Sequence, residues 1–278
     1  MSGSTIPRQA GRSAFGLDPA GYDRSRPDYP AWVFDTLRSR CGLGPGTAVF
    51  EIGAGTGKAT RHQLALGANP VVAIEPDARM AAFLSASAGQ PALRIINRPF
   101  EEVELEPAGF DLGTSATAFH WLDESAALPR IAEALRLGGW WCPFWNIHGD
   151  PDKADPFHDA TADLLSTGPD SPASEKPNRP AFGADTDARI SAMRATGAFD
   201  LIETHHGAWS VVLDADQVVE LYASYSNITL RPDRDTVLAE LGRIAREQFH
   251  NRVTRNITTV LYLAHRGVEA GAGRSSVR

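Results

Sequence analysis

The stretch at 49–60, VFEIGAGTGKAT, is an apolar run that carries a carboxylate near its end and leads straight into three alternating glycines, Gly53, Gly55 and Gly57. Glycines in that position let the backbone turn sharply from strand to helix and approach a ligand closely, with free N–H groups at the helix start. The turn points to an α/β fold of the nucleotide-binding kind. The flanking pattern agrees: short apolar runs at 48–52, 71–75, 93–97, 111–115 and 140–145 alternate with helical stretches at 58–66, 77–86 and 124–137. The runs are continuously apolar, as strands are when helices cover both faces of a parallel sheet. A doubly wound α/β sheet is the expected architecture. A helix at 29–40 precedes it. Helices near 186–196, 215–225 and 233–251 and strands near 199–210 and 254–264 follow it.

Composition divides the chain further. Residues 1–14 and 268–278 are small, polar and glycine-rich and are expected to be disordered tails. The core is expected over 15–146, with a helical cover at its start. Residues 147–267 are expected to add lid and cap insertions and the strands that complete the sheet. Within them, 148–180 is rich in proline, aspartate and serine, as lids over sites often are. A net charge of -7 offers no footprint for nucleic acid, so a small-molecule partner is expected. The two cysteines, Cys41 and Cys142, lack metal spacing. No apolar run approaches the ~20 residues of a membrane span, and the polar start lacks a signal-peptide core, which suits a cytoplasmic protein.

Two glycine signatures can be tested against the turn. The dinucleotide fingerprint G-x-G-x-x-G, counted from Gly53 and Gly55, needs a third glycine where Lys58 stands. A phosphate-binding Walker loop needs glycine at Ile52 and Ser or Thr at Ala59. Neither fits. E-x-G-x-G-x-G does fit, as Glu51, Gly53, Gly55 and Gly57, and it resembles the first motif of class I S-adenosylmethionine-dependent methyltransferases. The segments YDRSRPDYPAWVFDTL, NRPFEEVELEPAGFDLGTSATAFHWLDESAAL, ALRLGGWWCPFWN and VTRNITTVLYLAHR extend the resemblance to one bacterial branch of the methyltransferase type-11 family.

The resemblance implies a Rossmann-like seven-stranded sheet with an antiparallel last strand and a helical cap, with S-adenosylmethionine as cofactor. Gly53, Ala54, Gly55 and Gly57 would receive the cofactor carboxylate at a helix N-terminus, and Glu51 its ammonium, directly or through water. Glu75, followed by Pro76, would take the ribose diol. Phe100 and Glu101 would grip adenine, and Ser115 and Ala116 would lie beside the methionine moiety. Tyr22, Arg26 and Tyr29 resemble the family's N-terminal cover, with Arg26 able to pair with the cofactor carboxylate.

Methyl transfer from a sulfonium is an in-line displacement with a neutral leaving group, so alignment and exclusion of water matter most. A general base helps only a protonated acceptor. His120 is the candidate for that role; the alternative is that His120 and Trp121 only shape the acceptor pocket. Tyr29, His148, Tyr222 and Tyr225 are expected to line the same pocket. His205 and His206 are neighbours on a strand and point to opposite faces, and no metal site is expected. A fold of this kind does not by itself fix the reaction. A cofactor-binding protein that transfers no methyl, such as a cyclase or a regulator, is the alternative function.

Overall fold

The computed structural model describes residues 5–176 and 178–267. The tail expected at 268–278, and the first four residues of the other, lie outside them. Three helices, α1 (Arg8–Phe15), α2 (Pro19–Ser25) and α3 (Ala31–Cys41), lead into the first strand. The core then alternates β1 (Val49–Ile52), α4 (Lys58–Ala65), β2 (Val71–Ile74), α5 (Ala78–Ala88), β3 (Leu93–Ile96), β4 (Phe110–Ala116), α6 (Glu124–Ala134) and β5 (Leu135–His148). The rest is α7 (Pro156–Leu165), α8 (Thr186–Ala195), β6 (Phe199–Leu213), α9 (Ala215–Ala223), α10 (Ser226–Thr229), α11 (Arg234–Glu247) and β7 (Val253–Arg266).

The seven strands form one sheet in the order β3-β2-β1-β4-β5-β7-β6. The first five run parallel, and β7 enters antiparallel between β5 and β6. The expected seven-stranded sheet with its antiparallel last strand is therefore present. Strand order reverses at β1, so the ends of β1 and β4 diverge into a crevice, where open α/β sheets hold ligands.

Alternation along the strands sends neighbours to opposite faces. Phe50 and Ile52 of β1 join Val72, Ile74, Trp141 and Tyr262 in one core cluster under α6 and α8. Val49 joins Val71, Leu112 and Phe144 in another under α3 and α4. A third cluster holds the cap, where Phe157 of α7 meets Val218 and Tyr222 of α9 and Leu241 and Ile244 of α11. The expected lid at 148–180 thus contains α7, with Phe157 only 1% exposed.

Gly113 of β4 shows how tightly the first face is filled. A Cβ there would lie 2.3 Å from the Phe50 ring, which stacks on Trp141 at 6.2 Å between centroids. Neither ring has space to withdraw. Gly113→Ala is expected to cost roughly 2–3 kcal/mol by overpacking, lowering the thermal midpoint by roughly 5 °C or more in a calorimetric scan.

The N-terminal tail differs from expectation. Residues 8–15 form α1, which buries Gly11 and Ala14: Gly11 packs so closely on the Trp121 ring that a Cβ would fall 2.2 Å from it. Arg12 donates to Glu101 Oε1 at 2.7 Å and to the Trp121 carbonyl at 2.8 Å.

Candidate functional site

A cavity of about 1030 Å³ opens above the C-terminal ends of β1, β2 and β4 and continues beneath the cap. Its floor is the glycine turn. Gly53, Gly55 and Gly57 all adopt positive φ, at 71°, 58° and 90°. The three differ in what excludes a side chain. A Cβ on Gly53 would meet the Ala118 methyl at 2.4 Å, and one on Gly57 would meet Leu84 at 2.2 Å. A Cβ on Gly55 would find only Met80, at 3.7 Å. Gly53 and Gly57 therefore serve packing as well as turning, whereas Gly55 has no protein neighbour that forbids a methyl.

Glu75 closes the side of the turn. Its Oε2 accepts the Gly55 N–H and its Oε1 accepts the Asp77 N–H, both at 2.8 Å. Burial pushes the carboxyl up to about 7 against the pull of those two donors. Each oxygen keeps a second lone pair for a ligand on the cavity side. Pro76, Phe100 and Ala116 also line the cavity.

Five expected cofactor residues stand elsewhere. Glu51 is 1% exposed and turned beneath the loop, where Oε2 accepts the Thr60 hydroxyl at 2.7 Å and Oε1 has no partner. Ala54 and Gly57 face the protein and do not line the cavity. Ser115 is fully buried and donates to the Ile52 carbonyl at 2.9 Å, stitching β4 to β1. Glu101 lies at the surface, 46% exposed, and pairs with Arg12. Of the expected adenine pair, only Phe100 reaches the cavity wall.

Burial also pushes Glu51 up to about 7, chiefly by desolvation, with the Glu75 charge adding to it. An ordinary carboxyl titrates near 4.5 in the unfolded chain, so the native carboxyl holds its proton more tightly, and its contribution to stability is lost as pH rises from 4.5 through 7. Glu51→Gln removes that cost. With no cofactor added, the variant is expected to match the parent at pH 5 and to exceed it at pH 8 by up to about 3 kcal/mol in urea unfolding.

His120 sits on the turn after β4 and is 5% exposed. Trp145 donates its indole N–H to His120 Nδ1 at 3.3 Å. Burial, helped by Arg26, pushes the imidazole down to about 3. A neutral ring whose Nδ1 accepts carries its proton on Nε2, so Nε2 is a donor. His120 and Trp121 both line the cavity.

Beyond them the cap completes the wall. His148 at the end of β5 shares a hydrogen bond with the Tyr225 hydroxyl, and Tyr22, Arg26, Tyr222 and Tyr225 all contribute to the lining. Tyr29 does not; its hydroxyl is bonded to Thr117 at 2.9 Å, and burial pushes the phenol up. Among residues not singled out from the sequence, Arg12 and Phe15 of α1, Asn146 and Arg255 join the wall. Arg255 had a visible signal, a lone charge inside the apolar strand VTRNITTVLYLAHR. The others had none. His205 and His206 lie on β6 outside the cavity, and Trp141 and Trp145 are core residues. Among the described residues no three His, Cys, Asp or Glu side chains gather in a metal-holding group, and no helix is long and apolar enough to cross a membrane.

Residues 50–142 match a methyltransferase domain family of type 11. An uncharacterized methyltransferase of Mycobacterium tuberculosis is 34% identical over 139 residues, which is 49% of this chain and 54% of that protein. The chain thus spans about half the length of the mycobacterial relatives it matches. An uncharacterized methyltransferase of Schizosaccharomyces pombe is 26% identical over 89% of this chain and 95% of its own. Among solved structures, a protein assigned as a type II methyltransferase from Anaeromyxobacter dehalogenans superposes with a TM-score of 0.61 at 21% identity, covering 87% of this chain and 97% of that one. Phosphoethanolamine N-methyltransferase 2 of Haemonchus contortus, solved with phosphomonomethylethanolamine and S-adenosylhomocysteine, superposes at 0.54 with 14% identity, over 91% of this chain and 58% of that one. These likenesses below 25% identity speak to the fold. Residues 50–142 thus carry the match to the type-11 methyltransferase domain, and the relatives similar to this chain are named as methyltransferases.

Proposed function

We propose that the protein transfers a methyl group from S-adenosylmethionine to a small molecule held under the cap. The observation that carries this reading is the position of Glu75 on the cavity wall, with one oxygen accepting from Gly55 of the glycine turn, the other from Asp77, and a second lone pair left on each for a ligand. The residues suit the cofactor: N–H groups at the start of α4 for its carboxylate, an acid for its ribose diol, and the Phe100 wall for its adenine. Bound there, the sulfonium would supply an electrophilic methyl. Ala116 and Thr117, at the end of β4, would flank that methyl, and Tyr22 would cover it.

The acceptor would sit against Trp121, His148, Tyr222 and Tyr225. His120 was the candidate base, but the Trp145 bond assigns its ring proton to Nε2, so we assign it a donor's role, orienting the acceptor. Calorimetric titration with S-adenosylmethionine tests the reading: binding is expected, and its loss in Glu75→Ala and Gly55→Val. Methyl-labelled cofactor incubated with small acids, phenols and amines then separates the enzyme from a non-transferring binder. Label in none of them, with tight cofactor binding, would favour the cyclase or regulator.

A further inference from the structure

At the cap end of the cavity, three residues carry a buried nitrogen with no hydrogen-bond partner: Arg26 Nε, His148 Nδ1 and Arg255 Nε. They surround Tyr222 and Tyr225, which meet edge-on. The Arg26 guanidinium lies 4.2 Å from the Tyr225 ring centroid, and the His148 ring lies 5.3 Å from it. The Arg255 guanidinium lies 5.7 Å from the Tyr222 ring, which meets Tyr225 edge-on at 5.3 Å. Buried donors are nearly always satisfied, so three in one aromatic pocket mark a place for an acceptor-rich group.

The charges there are unevenly matched. Arg255 has Asp155 Oδ2 3.3 Å from Nε, at an angle that makes no hydrogen bond, and its fork bonds the Tyr222 hydroxyl. Lys153 has Asp150 at 3.2 Å. Arg26 donates only to the Ser224 carbonyl, at 2.9 Å, and has no carboxylate partner among the described residues. The His148–Tyr225 pair supplies the third donor: whichever of the two donates in their shared bond, the other proton is left over.

We propose that the acceptor bears a carboxylate, received by Arg26 with help from the His148–Tyr225 pair, and that this carboxylate oxygen is the atom methylated. The inference rests on the methyltransferase reading of the cavity. It takes Arg26 away from the cofactor carboxylate, because its side chain donates to Ser224 and lies between the Tyr225 and Tyr22 rings, with no hydrogen bond to the glycine turn. Planar bidentate recognition of a carboxylate is what a guanidinium does best. The chemistry closes without a base: a carboxylate lone pair forms the O–CH3 bond, the C–S bond breaks, sulfur keeps its electron pair, and an ester and a thioether leave with no proton moved. That suits a site where burial and the neighbouring arginines hold both His120 and His148 near 3, too weakly basic to take a proton from a hydroxyl.

The test titrates the full-length protein, saturated with S-adenosylhomocysteine, with 1-naphthoate and with the isosteric neutral 1-naphthamide. Naphthoate is expected to bind at least 10-fold tighter. Arg26→Gln should abolish that preference and Arg26→Lys should keep part of it, with S-adenosylhomocysteine affinity unchanged within 2-fold in both. Equal binding of the two probes, or binding of neither, overturns the proposal, as does 1-naphthyl phosphate outcompeting naphthoate 10-fold. If Arg26→Gln instead weakens S-adenosylhomocysteine, Arg26 belongs to the cofactor. Failure of S-adenosylhomocysteine to bind at all would count against the methyltransferase reading, and the naphthoate preference is then measured on the protein without it. In turnover, label moved to an acid should return as volatile methanol on alkali treatment, and alkali-stable label would overturn the ester.

Discussion

Gly55→Ala is expected to weaken S-adenosylhomocysteine binding by about 30-fold or more while leaving the protein folded, a loss of roughly 2 kcal/mol. Two effects of the methyl must be separated. One is intrinsic strain, since φ is 58° and an L-residue there costs about 1–2 kcal/mol. The other is steric, and within the protein it is nil, because the nearest atom to the added Cβ is Met80 Cε at an ordinary 3.7 Å. Gly138→Ala is the matched control: φ is 83°, nothing lies within 4 Å, and the position is outside the cavity. The two variants should lose similar thermal stability. Only Gly55→Ala should lose ligand, because only there would the methyl stand where the cofactor's amino-acid end approaches the turn. Calorimetric titration of both decides. Retained affinity in Gly55→Ala would mean that the ligand does not touch this part of the turn.

Gly53 makes the contrast sharper. Its Cβ would collide with Ala118, so loss of binding on substitution would not distinguish a damaged turn from a blocked site. The three glycines look equivalent in the sequence and differ only in what the fold packs around them.

The same distinction explains what could and could not be read in advance. The sheet was legible because its strands are continuous apolar runs and its turns carry glycine, both local properties. Strand ends were less so. Helix α6 stops at Ala134, and β5 runs from Leu135 to His148, past the expected 140–145, because Asn146, Ile147 and His148 pair with Thr259, Thr258 and Ile257 of β7. That pairing is tertiary and leaves no periodic trace. Likewise β6 extends to Leu213 beside β7.

Two expected site residues lie outside the cavity for opposite reasons. The position of Glu51 was legible: period-two alternation puts it on the face of Val49, toward α4, where Thr60 meets it. That of Glu101 was not, since its partner Arg12 belongs to α1, a short helix docked on Trp121 whose stretch reads in the sequence as part of a polar tail. The cap side of the cavity was half visible. Tyr222 and Tyr225 were identifiable by their place before the last strand, but the three unsatisfied nitrogens that characterise the pocket are a property of packing alone.

Glu75→Gln is expected to produce the largest loss, about 100-fold in S-adenosylhomocysteine affinity at pH 8. The carboxylate accepts from Gly55 and Asp77 at once, and an amide offers only one oxygen, so one N–H would face an NH2 group. Losing a charge-assisted bond to the ribose adds a penalty of about 1.5–3 kcal/mol. The pH profile supplies the signature of the charge. With the carboxyl near 7, Glu75 is largely protonated at pH 5 and ionised at pH 8, so the parent's affinity should rise about tenfold per pH unit from 5 toward 7 and then level. Glu51 is also held near 7, which makes the variants decisive. The slope should persist in Glu51→Gln and vanish in Glu75→Gln. A flat profile in the parent, or a slope that follows Glu51, would remove Glu75 from the ribose and move the charge that matters to the acid beneath the turn.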